Sequence, residues 1–205
     1  TYRHSTGVAA ASVAIARTLE MGDPEIQFIR RAALLHDIGK LGVSNSILEK
    51  PDKLTAGEWG VVKQHPAYSF DILRRIPAFE ELSVVAAAHH ERLDGKGYFR
   101  QWGAAQLSLP SRIIAVADVF DALSAKRPYR DGLPLETVFQ IMAKDTPHGL
   151  DAQCFEALKA SHGHASPASD LLALSRGVGN PAVSLPKEVP QQKSEARHKK
   201  KEVLV

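Results

Sequence analysis

The sequence predicts an all-α fold, a bundle of helices, on three observations. Apolar residues recur at the i, i+3, i+4, i+7 spacing of one helical face over most of the chain. No segment sustains the alternation of apolar and polar residues that is typical of a half-buried strand. Helix start signals, among them the Asp23-Pro24 pair, stand directly before periodic segments. A sheet is therefore not expected.

The helices can be placed in order along the chain. Apolar periodicity marks the first over residues 8–19 and the second over residues 26–34. The third begins at the Thr55–Glu58 capping box and runs to His65, before Pro66. Later helices are expected at 68–75, 79–90, 111–126, 135–144 and 151–161.

Two long irregular stretches, residues 41–54 and 93–110, interrupt this series of helices. The second is rich in glycine and also holds Tyr98 and Trp102. Because a loop of that length in a compact domain is usually functional, we expect it to form part of a site.

Composition places the chain among ordinary globular proteins. Its 205 residues are 44% hydrophobic and 24% charged, as in one domain with a tail. The lone cysteine, Cys154, excludes an internal disulfide framework and favours a reducing, cytoplasmic compartment. The longest apolar stretch, Val8–Ala16, is far shorter than the roughly 20 residues of a membrane span. Because the sequence starts at Thr1, we expect it to be a piece of a longer protein.

The positive charge lies at the C-terminal end. Residues 1–186 hold 20 Lys and Arg against 20 Asp and Glu, whereas residues 187–205 hold 6 against 3. A neutral body argues against a platform for sequence-specific nucleic-acid binding. We therefore predict a domain over residues 1–175 and a disordered basic tail over residues 176–205.

Histidines and aspartates fall on the apolar faces of the predicted helices. The inward positions are His4, His36, His65, His89 and Asp118. A single histidine on such a face is more often a hydrogen-bonded core residue than a ligand, but the set is hard to explain in that way. An ionised carboxylate in an apolar core costs several kcal/mol unless it is paired, so Asp37 and Asp118 call for an internal cation.

Two doublets, His36-Asp37 and His89-His90, further support an internal metal site. Consecutive residues on a helix diverge by about 100°, so one member of each doublet points to the core and the other sideways. Such pairs suit two neighbouring metal ions bridged by a carboxylate. Imidazole and carboxylate ligands without a thiolate suit iron, manganese, zinc or nickel.

At these residues the chain resembles the HD-GYP family of bacterial cyclic di-GMP phosphodiesterases, a branch of the HD metal-dependent phosphohydrolases. The matching blocks are HSTGVA at 4–9, LLHDIGKLGV at 34–43, ILEKPDKLTAGEW at 47–59, KQHPAYSFDIL at 63–73, HHERLDGKGYF at 89–99 and RIIAVADVFDALSAKRPYR at 112–130. They occur in the family's order.

The resemblance implies an HD-type helical bundle with a buried dinuclear or trinuclear metal centre, iron or manganese foremost. The implied ligands are His4, His36, Asp37, His65, His89, His90 and Asp118. The implied contacts to substrate phosphate or guanine are Lys40, Tyr98, Arg127 and Arg130, with Asp37 and Lys40 in catalytic roles. A diguanylate cyclase domain and an upstream sensory or receiver domain are the implied protein partners.

The chain departs from the family pattern at three places. Phe99 stands where the family has a signature proline, which leaves the loop less rigid. Gly7 replaces an arginine, so one charge near the site is absent. A metal-binding glutamate of the family would fall before Thr1, which leaves the choice between two and three ions open.

Two functions follow from these observations. The first is a phosphodiesterase that hydrolyses cyclic di-GMP to the linear dinucleotide pGpG, and to GMP if a second cut follows. The second is a catalytically weak signalling module that binds a cyclic dinucleotide or a protein partner. The substitution at Phe99 favours the second function slightly, and the complete ligand set favours the first.

Overall fold

The computed structural model of the chain describes residues 2–126 and 132–163, which belong to one compact unit of helices. The described helices are α1 (Tyr2–Thr18), α2 (Asp23–Leu35), α3 (Asn45–Leu48), α4 (Ala56–Val62), α5 (His65–Leu73), α6 (Glu80–Ala87), α7 (Leu109–Ser124), α8 (Leu135–Asp145) and α9 (Ala152–Gly163). Short 3-10 turns cover Ile38–Gly42 and Pro77–Phe79. The all-α prediction is confirmed: within the described residues, extended pairing is limited to an isolated bridge between Asp94 and Gly103.

Helix α1 lies at the centre of the packing, against α2, α7 and α9. Its buried face consists mainly of small and β-branched residues such as Val8, Ala11 and Ile15, which allow the neighbouring helices to approach closely. Ile29 of α2 and Ile114 of α7 are fully buried in the same core. Removing each such side chain from water contributes about 1.5 to 3 kcal/mol to stability.

The capping signals read from the sequence are present. The Thr55 side chain accepts from the Glu58 backbone N–H, and the Glu58 carboxylate accepts from the Thr55 N–H at 2.7 Å. Ser108 caps α7 with a single bond, by accepting from the Ser111 N–H, and Pro110 lies in the first turn. Helix α7 therefore begins two residues before the predicted start.

Several predicted helix ends were wrong. The third predicted helix ends at Val62, and His65 begins α5 instead. Pro66 lies in the first turn of α5, where backbone N–H groups have no partner within the helix. The N–H that proline lacks is not needed there, so Pro66 starts a helix rather than ending one. Helix α6 ends at Ala87, before His89, and the predicted loop 41–54 contains the short helix α3.

None of the helices in the described part of the chain combines the length and the apolar character that a membrane crossing requires. The predicted domain boundary at residue 175 and the predicted tail 176–205 lie outside the described residues.

Candidate metal centre

Three histidines follow the C-terminal ends of three different helices. His36 directly follows α2, His65 comes three residues after the end of α4, and His89 two residues after the end of α6. Each has its Nδ1 atom 2.7 Å from the backbone carbonyl three residues earlier. A carbonyl can only accept, so Nδ1 carries the proton and, in the neutral ring, Nε2 keeps a free lone pair. The helix ends thus fix both the tautomer and the direction of these rings.

The free Nε2 atoms converge at the centre of the bundle. Those of His65 and His89 are 3.0 Å apart, and the fully buried Nε2 of His36 has no hydrogen-bond partner. Burial lowers the pKa of His36 and holds the pKa of His89 well below the usual range, which keeps both rings neutral. The facing Nε2 atoms of His65 and His89 need a cation or a proton between them, and a metal ion supplies that charge.

Asp37 lies between two groups of imidazoles, with one carboxylate oxygen toward each. Its Oδ1 is 3.3 Å from His65 Nε2 and 3.9 Å from His89 Nε2. Its Oδ2 is 3.6 Å from His36 Nε2 and 3.7 Å from His4 Nε2. Burial acts to raise the pKa of Asp37, but the hydrogen bond to His65 and the positive charge of Lys40 outweigh it and lower the pKa below its ordinary range. The side chain is therefore ionised, and its two oxygens are placed to connect the two groups of imidazoles.

Lys40 lies on the 3-10 turn that follows Asp37, at the rim of the centre. Its Nζ atom donates to Asp37 Oδ2 at 2.5 Å, and its side chain is 28% exposed. The ammonium group thus reaches both the buried carboxylate and the surface of the site, where an anionic ligand would arrive.

Asp118 of α7 completes the second side of the centre. Its Oδ1 is 3.0 Å from His4 Nε2, and its Oδ2 is 3.6 Å from His90 Nδ1. Burial lowers the pKa of His4, but the hydrogen bonds to Asp118 and Asp121 outweigh this and raise it to about 9. Burial lowers the pKa of His90 to about 4 despite the nearby Asp118.

The described residues contain overlapping groups of three whose ligand atoms all lie within 4.8 Å of one another. These are His65, His89 and His90; His4, His36 and Asp118; and His36, Asp37 and His89. The first two groups share no residue, and the third joins them. The structure therefore brings together all seven residues that the sequence singled out, and their nitrogen and oxygen donors fit divalent transition metals.

The reason given from the sequence for this convergence was partly wrong. His36, Asp37, His89 and His90 do not diverge around a helix, because they lie in the turns that follow α2 and α6. A turn lets consecutive side chains point into the same cavity, which a regular helix does not. Arg127 and Arg130 lie outside the described residues.

Asp121 is a site residue that the sequence reasoning missed. Its Oδ2 lies 2.6 Å from His4 Nδ1, so it orients the ring whose other nitrogen faces the centre. A Cβ atom at residue 7 would lie 1.8 Å from Asp121 Oδ1, so Gly7 provides the space that this carboxylate occupies. The sequence could have indicated Asp121, because it comes three residues after Asp118 and so lies on the same face of α7.

Glu91 is the second missed residue. It is 3% exposed and accepts hydrogen bonds from the backbone N–H groups of Arg100 at 2.5 Å, Gln101 at 3.2 Å and Trp102 at 3.0 Å. These bonds hold the loop that carries Tyr98. The sequence could have indicated Glu91, because this charged residue directly follows the His89-His90 doublet.

The ring of Tyr98 packs against the edge of the candidate metal centre. Its ring centroid is 4.7 Å from that of His90, and its neighbour Phe99 packs on Phe70 with centroids 6.0 Å apart. Burial and the nearby carboxylates raise the pKa of Tyr98 above its ordinary range, so the hydroxyl stays protonated.

Comparisons with known proteins find relatives that are named as cyclic dinucleotide phosphodiesterases. The chain is 50% identical over 156 residues to the 3′3′-cGAMP-specific phosphodiesterase 3 of Vibrio cholerae, covering 76% of this chain and 34% of that protein. It is 42% identical over 158 residues to a cyclic di-GMP phosphodiesterase of Pseudomonas aeruginosa, covering 77% and 38%. The chain thus spans about a third of the length of these relatives.

Two solved bacterial structures resemble this chain in fold. The crystal structure of a cyclic GMP-AMP specific phosphodiesterase of Vibrio cholerae superposes with a TM-score of 0.50 at 44% identity, covering 80% of this chain and 36% of that one. Bd1817, an HDG"Y"P protein of Bdellovibrio bacteriovorus, shares the fold with a TM-score of 0.66 at 20% identity, covering 79% and 52%. The HD domain family model matches residues 1–154, and the chain belongs to the HD domain family.

Proposed function

We propose that the chain is the catalytic domain of a metal-dependent phosphodiesterase that hydrolyses cyclic di-GMP to the linear dinucleotide pGpG. The position of Asp37 carries this proposal, because its two oxygens face two separate groups of imidazoles. A site that only binds a nucleotide does not need a buried carboxylate between two sets of ligands.

The proposed ligands of two divalent ions, iron or manganese, are the seven residues His4, His36, Asp37, His65, His89, His90 and Asp118. When bound, such ions supply a nucleophile at neutral pH and stabilise negative charge on phosphoryl oxygens. The protein contributes orientation, through the three carbonyl-bound imidazoles and the contact between Asp121 and His4. It also contributes a water-poor cavity, since Asp37 is 2% exposed and His36 is fully buried.

Other side chains at the rim are suited to hold the substrate. Lys40 presents its ammonium group beside Asp37 and so binds a non-bridging phosphate oxygen in the proposed complex. Tyr98 covers His90 and orients the sugar or base next to the reacting phosphate. Arg127 and Arg130 are proposed phosphate or guanine contacts on the basis of the family motif alone. A diguanylate cyclase domain and a sensory or receiver domain stand as proposed protein partners on the same basis.

A second substrate is favoured by one specific finding. The relative that is 50% identical is named for 3′3′-cGAMP, whereas the relative named for cyclic di-GMP is 42% identical. Both molecules present the same kind of phosphodiester to the metal centre and differ in one base. The test must therefore compare the two.

The experiment is hydrolysis of cyclic di-GMP and 3′3′-cGAMP by protein purified without oxygen and supplied with iron or manganese. We expect a linear dinucleotide from cyclic di-GMP, identified by chromatography and mass. Tight binding without turnover by metal-loaded protein would favour the signalling-module function instead. Faster turnover of 3′3′-cGAMP would reassign the substrate but keep the reaction.

A further inference from the structure

A groove of about 570 Å³ opens next to the metal centre, between the end of α4 and the loop that Glu91 holds. Its principal lining side chains are Trp59, Lys63, Lys96, Tyr98, Phe99 and Arg100. Tyr98 belongs to both places, because it lines the groove while its ring packs on His90. The groove and the metal centre therefore meet at Tyr98.

The groove is cationic. Three of its lining residues are lysine or arginine, and its lining includes no carboxylate. Among the described residues, no carboxylate oxygen lies within 4 Å of the charged groups of Lys63 and Arg100. Lys96 has only a 3.8 Å contact with Asp94, and its side chain is 79% exposed. Positive charge without an internal partner favours an anionic ligand.

The groove is also aromatic. Trp59 is 49% exposed at its edge, so part of its ring is open to a ligand in the groove. The Arg100 guanidinium lies 4.7 Å from the Phe70 ring centroid and 5.0 Å from that of Phe99, which holds it in place. Phe99, the residue that replaces the signature proline, thus fixes one of the cations of the groove.

Cations next to exposed aromatic rings match the chemistry of a nucleotide, whose phosphate takes the charge and whose base stacks on the rings. A cyclic dinucleotide has two phosphodiesters in one ring, so when one is at the metal centre the other must lie within a nucleotide's length. The groove is cationic and meets the metal centre at Tyr98, so it is placed to receive that second nucleotide.

We infer that this groove binds the second nucleotide of the substrate, with its base on Trp59 and its phosphate at Lys63 and Arg100. The inference rests on the proposed function, because it assumes a substrate with two nucleotides. In this proposal Trp59 and Lys63 contribute to substrate affinity but do not contact the metal centre. Tyr98 lies between them and the centre.

The test compares two substrates on three variants of the metal-loaded protein. Cyclic di-GMP has a second nucleotide, whereas bis(p-nitrophenyl) phosphate offers a phosphodiester without one. For Trp59→Ala and Lys63→Glu we expect the KM for cyclic di-GMP, relative to that for bis(p-nitrophenyl) phosphate, to rise about ten-fold, as the loss of one stacked base or one phosphate contact predicts. Lys53→Glu, an equal charge change at an exposed lysine outside the groove, should leave this ratio unchanged.

The outcomes separate the two proposals. If the wild-type protein hydrolyses cyclic di-GMP and the groove variants keep its KM ratio, the groove inference is overturned and the proposed function stands. If both substrates lose activity in parallel, Trp59 and Lys63 support the fold, and the inference is again overturned. If the wild-type protein hydrolyses only bis(p-nitrophenyl) phosphate, the proposed function fails and the groove inference fails with it.

Discussion

Three histidines of the centre each make a structural hydrogen bond at Nδ1 and keep Nε2 directed toward the cavity. A helix leaves its last carbonyls without intrahelical partners, and His36, His65 and His89 each donate Nδ1–H to such a carbonyl. The same bond sets the orientation of Nε2 toward the cavity. Folding of the helix end and assembly of the site are therefore coupled at single residues.

The bridging position of Asp37 gives a first prediction. Asp37→Asn keeps the shape of the side chain but removes its charge and one of the two ligand oxygens. We expect elemental analysis to fall from two or more metal ions per chain to one or none, with loss of hydrolysis, because the repulsion between neighbouring cations is no longer compensated. Asp71→Asn, at a half-exposed carboxylate on α5, is the matched control. Retention of two ions by Asp37→Asn would contradict the bridge.

Asp121 gives a second prediction at this scale. Asp121→Asn removes the charge that orients His4, and outer partners of metal-binding histidines typically contribute about 10- to 100-fold to metal affinity. We expect a loss of that size in a metal titration of the variant. Gly7→Ala should have a similar effect, because its Cβ would displace the Asp121 carboxylate.

A second glycine serves as the control for that substitution. Gly57 lies in α4, and a Cβ atom there meets nothing within 4 Å. Gly57→Ala should therefore leave metal affinity unchanged and stabilise the helix by roughly 0.5 to 1 kcal/mol. Wild-type metal affinity in Gly7→Ala would show that the Asp121 contact is dispensable.

At the scale of elements, the helices supply a rigid frame and the connections carry most of the site. His36, Asp37 and Lys40 lie between α2 and α3, and His89, His90 and Tyr98 lie between α6 and α7. From residue 92 to residue 101 the second connection forms no helix and only the isolated bridge at Asp94, so hydrogen bonds made by side chains contribute to its shape. Glu91 makes three of these bonds from a single buried carboxylate.

Glu91→Gln is the corresponding prediction. The amide offers an N–H group toward backbone N–H donors, so at least one hydrogen bond to a charged acceptor is lost, at a cost of about 1 to 3 kcal/mol. We expect faster amide hydrogen exchange at residues 100–102 and a higher KM for the dinucleotide, with metal content unchanged. Glu81→Gln, at an exposed position of α6, provides the comparison. Unchanged exchange in Glu91→Gln would refute the anchoring role.

At the scale of the whole molecule, the metal centre lies where the helices meet, so metal occupancy and stability are linked. A metal at a hundred-fold excess over its Kd stabilises the native state by about 2.7 kcal/mol, which raises the Tm by roughly 5 to 10 °C in a domain of this size. We expect a shift of that order when iron or manganese is added to chelator-treated protein in a thermal scan. The Asp37→Asn variant should lose most of this shift, and a full shift in that variant would place the bound metal elsewhere.

The C-terminal segment allows a further prediction from its sequence. Residues 176–205 are interrupted by proline and glycine and carry the net positive charge. Truncation after Ser175 should leave the Tm and the hydrolysis rate nearly unchanged, and reduce only salt-sensitive adhesion to polyanions. A clear drop in rate would assign this segment a part in the active site.

Sequence alone was sufficient to place most of the helices and to single out the seven residues that the structure brings together. Apolar spacing and capping signals act within a few residues, so α1, α2 and the Thr55–Glu58 start of α4 could be read directly. Paired histidines and aspartates, together with the family resemblance, indicated a buried metal centre because few other partners can neutralise such groups in a core.

The tertiary structure decided what depends on distant contacts. His4 and Asp121 are 117 residues apart in sequence, and Glu91 is recognised as a loop anchor only through backbone groups about ten residues away. The helix ends that aim the imidazoles could not be read either, since Pro66 is compatible with both the end and the start of a helix. Local patterns indicate which face of a helix is buried. How the helices pack decides that side chains of α1, α5 and α7 meet those of the turns after α2 and α6.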